Sequence, residues 1–125
     1  MGKRRQVNLP NTMVELTGKT FRAVINSTNG TINSETTMTF VSEDGALVGV
    51  YSGGTVASGS VIARRTGEQT IEMLYQCLTV TGELRAGHAL GRFEADDRQQ
   101  LRMHLDWQWL TGDQSTGQSE WVWER

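Results

Sequence analysis

The sequence predicts an all-β domain, a single antiparallel meander of about eight short strands closed into a small barrel, and three observations carry that prediction. Turn-forming pairs recur at short intervals, and the runs between them are rich in β-branched and aromatic residues. The clearest of these runs alternate apolar and polar side chains at the period of a strand. Proline occurs once, at Pro10, ahead of every strand-like run.

The turns come first. Asn29-Gly30, Asp44-Gly45 and Gly53-Gly54 are tight-hairpin signals, because type I′ turns need positive φ at both central residues. Thr66-Gly67, Thr81-Gly82 and Asp96-Asp97 mark further reversals, and a looser loop runs from Thr111 to Gly117. These breaks delimit strands at about 19–26, 34–42, 46–52, 55–65, 69–80, 83–95, 100–110 and 118–124. Residues 19–125 are thus the barrel domain, and 1–18 an N-terminal tail. In that tail Asn11 to Leu16 has the makings of one short helical turn, capped by Asn11 and stopped at Gly18. Short connections make each strand pair with the next, and closure removes exposed edges. A two-sheet sandwich is the alternative, but it ordinarily needs longer crossing connections.

Alternation orients the strands. In the seventh, Leu101, Met103, Leu105, Trp107 and Trp109 share one face, with Arg102, His104, Asp106 and Gln108 on the other. The eighth sets Trp121 and Trp123 against Glu120 and Glu124, and the second sets Met38 and Phe40 against Thr37 and Thr39. The fifth is apolar on both sides: Ile71, Met73, Tyr75 and Cys77 face one way, Leu74, Leu78 and Val80 the other. A homodimer contact on its outside, or a bulge that swaps faces part-way, would each account for this.

Composition narrows the partners. The 125 residues carry a net charge of −2, which gives no footprint for nucleic acid or a membrane surface. The cluster Lys3, Arg4, Arg5 is expected to be a solvated tail, since three charges neutralise too few phosphates to bind firmly. No apolar h-region follows it, and no run approaches the ~20 apolar residues of a membrane span. Cys77 is the one cysteine, so no internal disulfide forms and a cytoplasmic setting is expected, with the thiol a small buried hydrophobe.

Trp107, Trp109, Trp121 and Trp123 stand at i, i+2 spacing on two strands that should be neighbours, so their rings should form one aromatic wall. The wall is either a packed core or the side of a ligand cavity, and an eight-stranded barrel has room for either. Gly49, Ser52, Ser58, Gly59 and Ser60 offer little bulk on strands three and four, which favours a cavity. Tyr51, Tyr75, Arg22, Asn26 and His88 are candidate orienting groups, and Asp113 in the loop beside Trp109 could meet a polar part of the ligand. An inward Arg22 would imply an anionic ligand, whereas an outward one would simply face solvent. His88 shares its face with Leu84, Ala86 and Leu90 and is expected in the core, with His104 exposed. Two histidines and one cysteine, far apart, offer no metal-ligand spacing. Nucleophile-elbow, P-loop and dinucleotide signatures are all lacking, so neither cofactor nor catalytic residue is assigned.

The stretches Asn26–Gly30 (NSTNG), Asn33–Thr36 (NSET), Tyr51–Gly54 (YSGG), Tyr75-Gln76, Gly82–Leu84 (GEL) and Trp107–Ser115 (WQWLTGDQS) resemble small bacterial proteins catalogued as "N-acetylglutamate synthase". The resemblance runs from about Lys19 to Glu120 and implies a shared fold; the Trp121–Trp123 pair departs from the pattern. The glycine-rich pyrophosphate loop at a helix N-terminus, which acetyl transfer from coenzyme A would use, has no counterpart here, so acetyltransferase activity is not expected. The layout is also similar to lipocalin-type and avidin-type (calycin-like) barrels, with Leu16-Thr17-Gly18-Lys19-Thr20-Phe21 like their opening Gly-x-aromatic.

The leading expectation is therefore a barrel that binds a small apolar or anionic molecule in a cavity opening near Trp109. Leu101, Met103 and Leu105 should form its packed end. A small barrel enzyme (a cyclase, isomerase or hydrolase) using the same cavity is the second reading. A dimeric interaction module with a filled core is the third.

Overall fold

The computed structural model describes residues 14–27 and 30–125. Its strands are β1 (Thr20–Asn26), β2 (Thr37–Asp44), β3 (Ala46–Gly53), β4 (Val56–Arg65), β5 (Thr70–Thr79), β6 (Leu84–Ala95), β7 (Leu101–Trp109) and β8 (Thr116–Glu124). Each pairs antiparallel with its neighbour in the chain, and β8 returns to β1, so the meander closes into a barrel. The sandwich alternative is thereby set aside. Strand bounds lie within two residues of expectation except at the start of β2. There Asn33–Thr36 closes a turn instead: the Thr36 N–H donates to the Asn33 carbonyl at 2.9 Å, and the Glu35 N–H to Asn33 Oδ1 at 2.8 Å. At the β2–β3 turn Asp44 pairs directly with Ala46 across Gly45, whose φ of 81° explains the glycine.

Lys3, Arg4, Arg5, Asn11 and Asn29 lie outside the described residues, and with Asn11 most of the expected helical turn. Val14–Leu16 run without helix and are part of the core: Val14 and Leu16 are both buried. They sit with Phe21, Phe40, Leu47, Ile71, Phe93 and Leu101 in one buried cluster. The last six of these residues come from the same end of their strands. Phe21 touches both Phe40 and Phe93, with ring centroids 5.9 Å apart in each pair. This end is the packed one.

Arg65 latches the N-terminal segment over it. Its Nη2 donates to the Val14 carbonyl at 2.7 Å, and its Nε to Glu43 Oε2 at 2.8 Å. The Arg65 guanidinium holds the Glu43 carboxyl below the usual glutamate range.

A depressed folded-state pKa contributes stability that is full above the ordinary glutamate value of about 4.3 and is lost as pH falls through the lower folded value. We therefore predict that the urea midpoint of the parent drops on acidification below about pH 4.3 by more than that of Glu43→Gln. The half-exposed setting limits the difference to about 1 kcal/mol or less. Identical acid profiles for the two proteins would show that the latch does not matter.

Candidate functional site

The opposite end, where β1, β3, β5 and β7 finish, carries the candidate site. β7 alternates as its sequence predicts, so Trp107 and Trp109 turn inward and are buried. Trp109 meets the Tyr75 ring at 5.7 Å, Tyr75 meets Tyr51 at 6.4 Å, and Trp107 meets Trp109 at 5.7 Å. Four rings thus wall the mouth from β3 round to β7. Trp121 on β8 stands below them, fully buried, with its indole N–H donating to Ser119 Oγ at 2.9 Å.

Each strand that supplies rings faces a glycine on the next. Tyr51 is the cross-strand partner of Gly59, Tyr75 of Gly87 and Trp107 of Gly117. A Cβ placed on Gly59 would lie 2.5 Å from the Tyr51 ring, and those on Gly87 and Gly117 would lie closer still to the Tyr75 and Trp107 rings. The rings therefore rest against bare backbone. The small residues of β3 and β4 are explained in part by this, since Gly59 lies under the Tyr51 ring and Gly49 against Phe40 toward the packed end, but Ser52, Ser58 and Ser60 point outward and leave no room inside.

Between the rings remains a hollow of about 40 Å³. That holds roughly one to three water molecules, far less than the cavity the sequence led us to expect. Its lining includes Asn26, Tyr51, Tyr75, Trp107, Trp109 and Trp121, six of the nine residues singled out from the sequence. Gly30, Thr31 and Ile32 of the β1–β2 connection border it, whereas no residue of the Thr111–Gly117 loop does. Leu105 lines the hollow too, so the packed end stops short of it, at Met103.

The other three candidates lie elsewhere. Arg22 sits on the outer surface, paired with Glu124 and donating to the Ser34 carbonyl at 3.0 Å. Phe21 and Ala23 on either side of it are buried, and a bulge then shifts the register of β1 with β8 between Ala23 and Ile25. Arg22 and Asn26 would otherwise share a face; the bulge leaves Arg22 outside and turns Asn26 inward. His88 is also outside, its Nε2 2.7 Å from Glu72 Oε2. The inner face of β6 is Gly87, Ala89, Gly91 and Phe93, kept small by rings and side chains from its neighbours. Asp113 stays in its loop, where its carboxylate accepts the Ser115 N–H at 2.9 Å. That bond lowers the Asp113 pKa. Trp123 leaves the aromatic wall as well: it pairs across from Phe21 at the packed end, half-buried beneath Lys19 and Arg125.

Sequence reasoning passed over Ser119, although it shares the Trp121 face of β8 at i, i+2 spacing. Ile32 had no such signal, because it sits in a connection without periodicity.

Among the described residues two polar atoms in the lining, Tyr51 Oη and Asn26 Oδ1, are buried with no nitrogen or oxygen partner, and the Tyr51 hydroxyl has only the Cys77 thiol, a weak hydrogen-bonding group, beside it. Asn26 Nδ2 is used, donating to the Ile32 carbonyl at 2.9 Å. Tyr51 is 5% exposed, with the Cys77 thiol beside its hydroxyl. Burial pushes the Tyr51 and Tyr75 phenols well above the ordinary tyrosine range, so both are neutral hydroxyls at physiological pH.

Comparison with known families adds one finding. Residues 14–122 match the model of the Avidin-like protein family. The chain belongs to that family. The match reaches back to Val14, the same residue that caps the barrel's packed end. Of the two resemblances read from the sequence, it is the avidin-type layout that the family match and the closed barrel bear out. Neither the curated proteins nor the solved structures yielded a match to this Avidin-like chain.

An unsatisfied buried hydroxyl weakens a fold by about 1–3 kcal/mol. For the Avidin-like protein without ligand we accordingly predict that Tyr51→Phe leaves thermal stability unchanged or raises it by up to about that amount. A loss above about 1 kcal/mol by urea unfolding would show that the hydroxyl has a partner.

Proposed function

We propose that this Avidin-like protein binds a small, uncharged molecule at the ring-walled mouth of its barrel. The observation that carries the reading is a pair of buried polar atoms, Tyr51 Oη and Asn26 Oδ1, that have no nitrogen or oxygen partner among the described residues, on a hollow walled largely by aromatic and aliphatic side chains. Natural proteins rarely leave such atoms unpaired. A ligand placing a carbonyl oxygen near the Tyr51 hydroxyl and an N–H near Asn26 Oδ1 would satisfy both, while its apolar part lay against Trp107, Trp109 and Tyr75. Room must come from the rings moving, and Tyr75, only partly buried, is the one best placed to swing.

The chemistry favours a neutral ligand over an anionic one. Among the described residues no charged side chain lines the hollow, and the guanidinium that would have met an anion, that of Arg22, lies on the far side of the sheet. It also favours binding over catalysis. Tyr51 and Tyr75 are the titratable groups in the lining, and burial keeps both protonated, so neither supplies a base near neutrality. A lone buried Cys77 supports a reducing, cytoplasmic setting.

The test is a ligand-observed NMR titration with 2-pyrrolidinone, a neutral ring with adjacent N–H and carbonyl, beside benzoate as an anionic ring. The expected result is saturable binding of the lactam with tryptophan emission changing in step, and weaker or no binding of benzoate. Tyr51→Phe should weaken the lactam about tenfold, the loss of one hydrogen bond worth about 1.4 kcal/mol. Tighter binding of benzoate than of the lactam, or a Tyr51→Phe variant that binds as well as the parent, would overturn the reading.

A further inference from the structure

We propose that Cys77 is a covalent modification site reached through the mouth of the barrel, and that it takes neutral molecules whose carbonyl is conjugated to a carbon–carbon double bond. The inference rests on the ligand reading above and adds a bond-forming step to it. Register places the thiol. Tyr51, Gly59, Cys77 and Arg85 are successive cross-strand partners on β3, β4, β5 and β6, one row around the inside of the barrel. Gly59 has no side chain, so the Tyr51 ring lies across it and carries its hydroxyl to the next member of the row, the Cys77 thiol. The Tyr75 phenol is near the same sulfur. On the other flank the Arg85 guanidinium lies over the Trp109 ring, 5.1 Å from its centroid, and meets Glu83 Oε1 at 3.8 Å. Cys77 is turned inward near the end of β5 and is 4% exposed, so a reagent reaches its sulfur from the mouth and not through the outer face.

The Tyr51 hydroxyl is what makes this thiol more than core filling. Tyr51 is 5% exposed, and its Oη has no nitrogen or oxygen partner among the described residues, with the weakly bonding thiol beside it. A molecule whose carbonyl oxygen accepts from that hydroxyl is therefore held against the sulfur. If the carbonyl is conjugated to a double bond, its β-carbon is an electrophile within the same small molecule. The sulfur lone pair forms the S–C bond to that carbon, and the π pair of the double bond moves toward the carbonyl oxygen. The proton that leaves the thiol ends on the α-carbon. Every atom of both reactants is retained, and no oxidant or reductant takes part. The Tyr51 hydroxyl, donating to the carbonyl oxygen, holds the charge that develops there. The Arg85 guanidinium, one strand from the sulfur, favours negative charge on it during attack.

Intact-mass spectrometry of alkylation near neutral pH decides the matter, because Cys77 is the one thiol in the chain. Maleimide is the probe, a neutral ring with N–H, carbonyl and conjugated double bond. Iodoacetate, an anionic alkylating agent without that double bond, is the control, and each is timed on native and on urea-unfolded protein. The expected result is a single maleimide adduct on the native chain, formed at a rate approaching that of the unfolded chain, with iodoacetate excluded until the chain unfolds. Cys77→Ser should take up no maleimide. Excess 2-pyrrolidinone should suppress the adduct over the concentration range in which the lactam saturates by NMR. Tyr51→Phe should slow the adduct about tenfold, the worth of one hydrogen bond. Maleimide and iodoacetate slowed by the same factor in the native chain would overturn the proposal, as would an adduct that excess lactam or Tyr51→Phe leaves unchanged. A chain that binds the lactam yet takes up no maleimide overturns this inference alone, and one that binds neither overturns the ligand reading with it.

Discussion

The volume inside a closed eight-stranded barrel is the constraint on which the rest of this structure depends. Such a barrel has room for its own side chains and little else. This chain nevertheless puts two tyrosines and four tryptophans into or beside that space. They fit because the residue opposite the ring on the following strand is glycine for Tyr51, Tyr75 and Trp107. Rings come from β3, β5 and β7, glycines from β4, β6 and β8. Each ring covers backbone that would otherwise be bare, and each glycine removes the methyl that would push its ring toward the axis. The hollow at the mouth is what that arrangement leaves over.

Much of this was legible from the sequence, and the illegible parts share a cause. β7 is readable because its inward residues are large and apolar and its outward ones polar, so alternation and burial agree. β6 misleads because its inward residues are small: Gly87, Ala89 and Gly91 make room for others, while Leu84 and Leu90 face out with His88 between them. Hydrophobicity then points the wrong way, and His88 is assigned to the core. The β1 bulge is the second cause. One unpaired residue there separates Arg22 from Asn26, and no residue in Phe21–Asn26 announces it. Trp123 was misplaced for a different reason: spacing fixes its face, but only register shows that it lies beside Phe21 at the packed end.

The two ends of the barrel differ in how fully they are packed and in how far their polar groups are satisfied. The packed end has its phenylalanines in contact, its lid of Val14 and Leu16, and the Arg65 latch. At the mouth, Tyr51 Oη and Asn26 Oδ1 are buried with no nitrogen or oxygen partner among the described residues, a local cost that a fold optimised for stability alone would have removed. On our reading a ligand repays it. Outside, Arg22 and Arg102 are ion-paired on the β7–β8–β1 side, and Ile62 and Leu74 of β4 and β5 are exposed aliphatic side chains.

If ring-on-glycine fit is what shapes the interior, the coupling between Tyr75 and Gly87 measures it most directly. A double-mutant cycle compares Gly87→Ala in the parent and in Tyr75→Ala by urea unfolding. In the parent the added methyl meets the Tyr75 ring and should cost about 1–3 kcal/mol, the usual penalty of overpacking. With Tyr75 reduced to alanine the same change should cost nothing, or stabilise by up to about 1 kcal/mol, since alanine is the better strand residue where space allows. A Gly87→Ala penalty of equal size in both backgrounds would contradict the account.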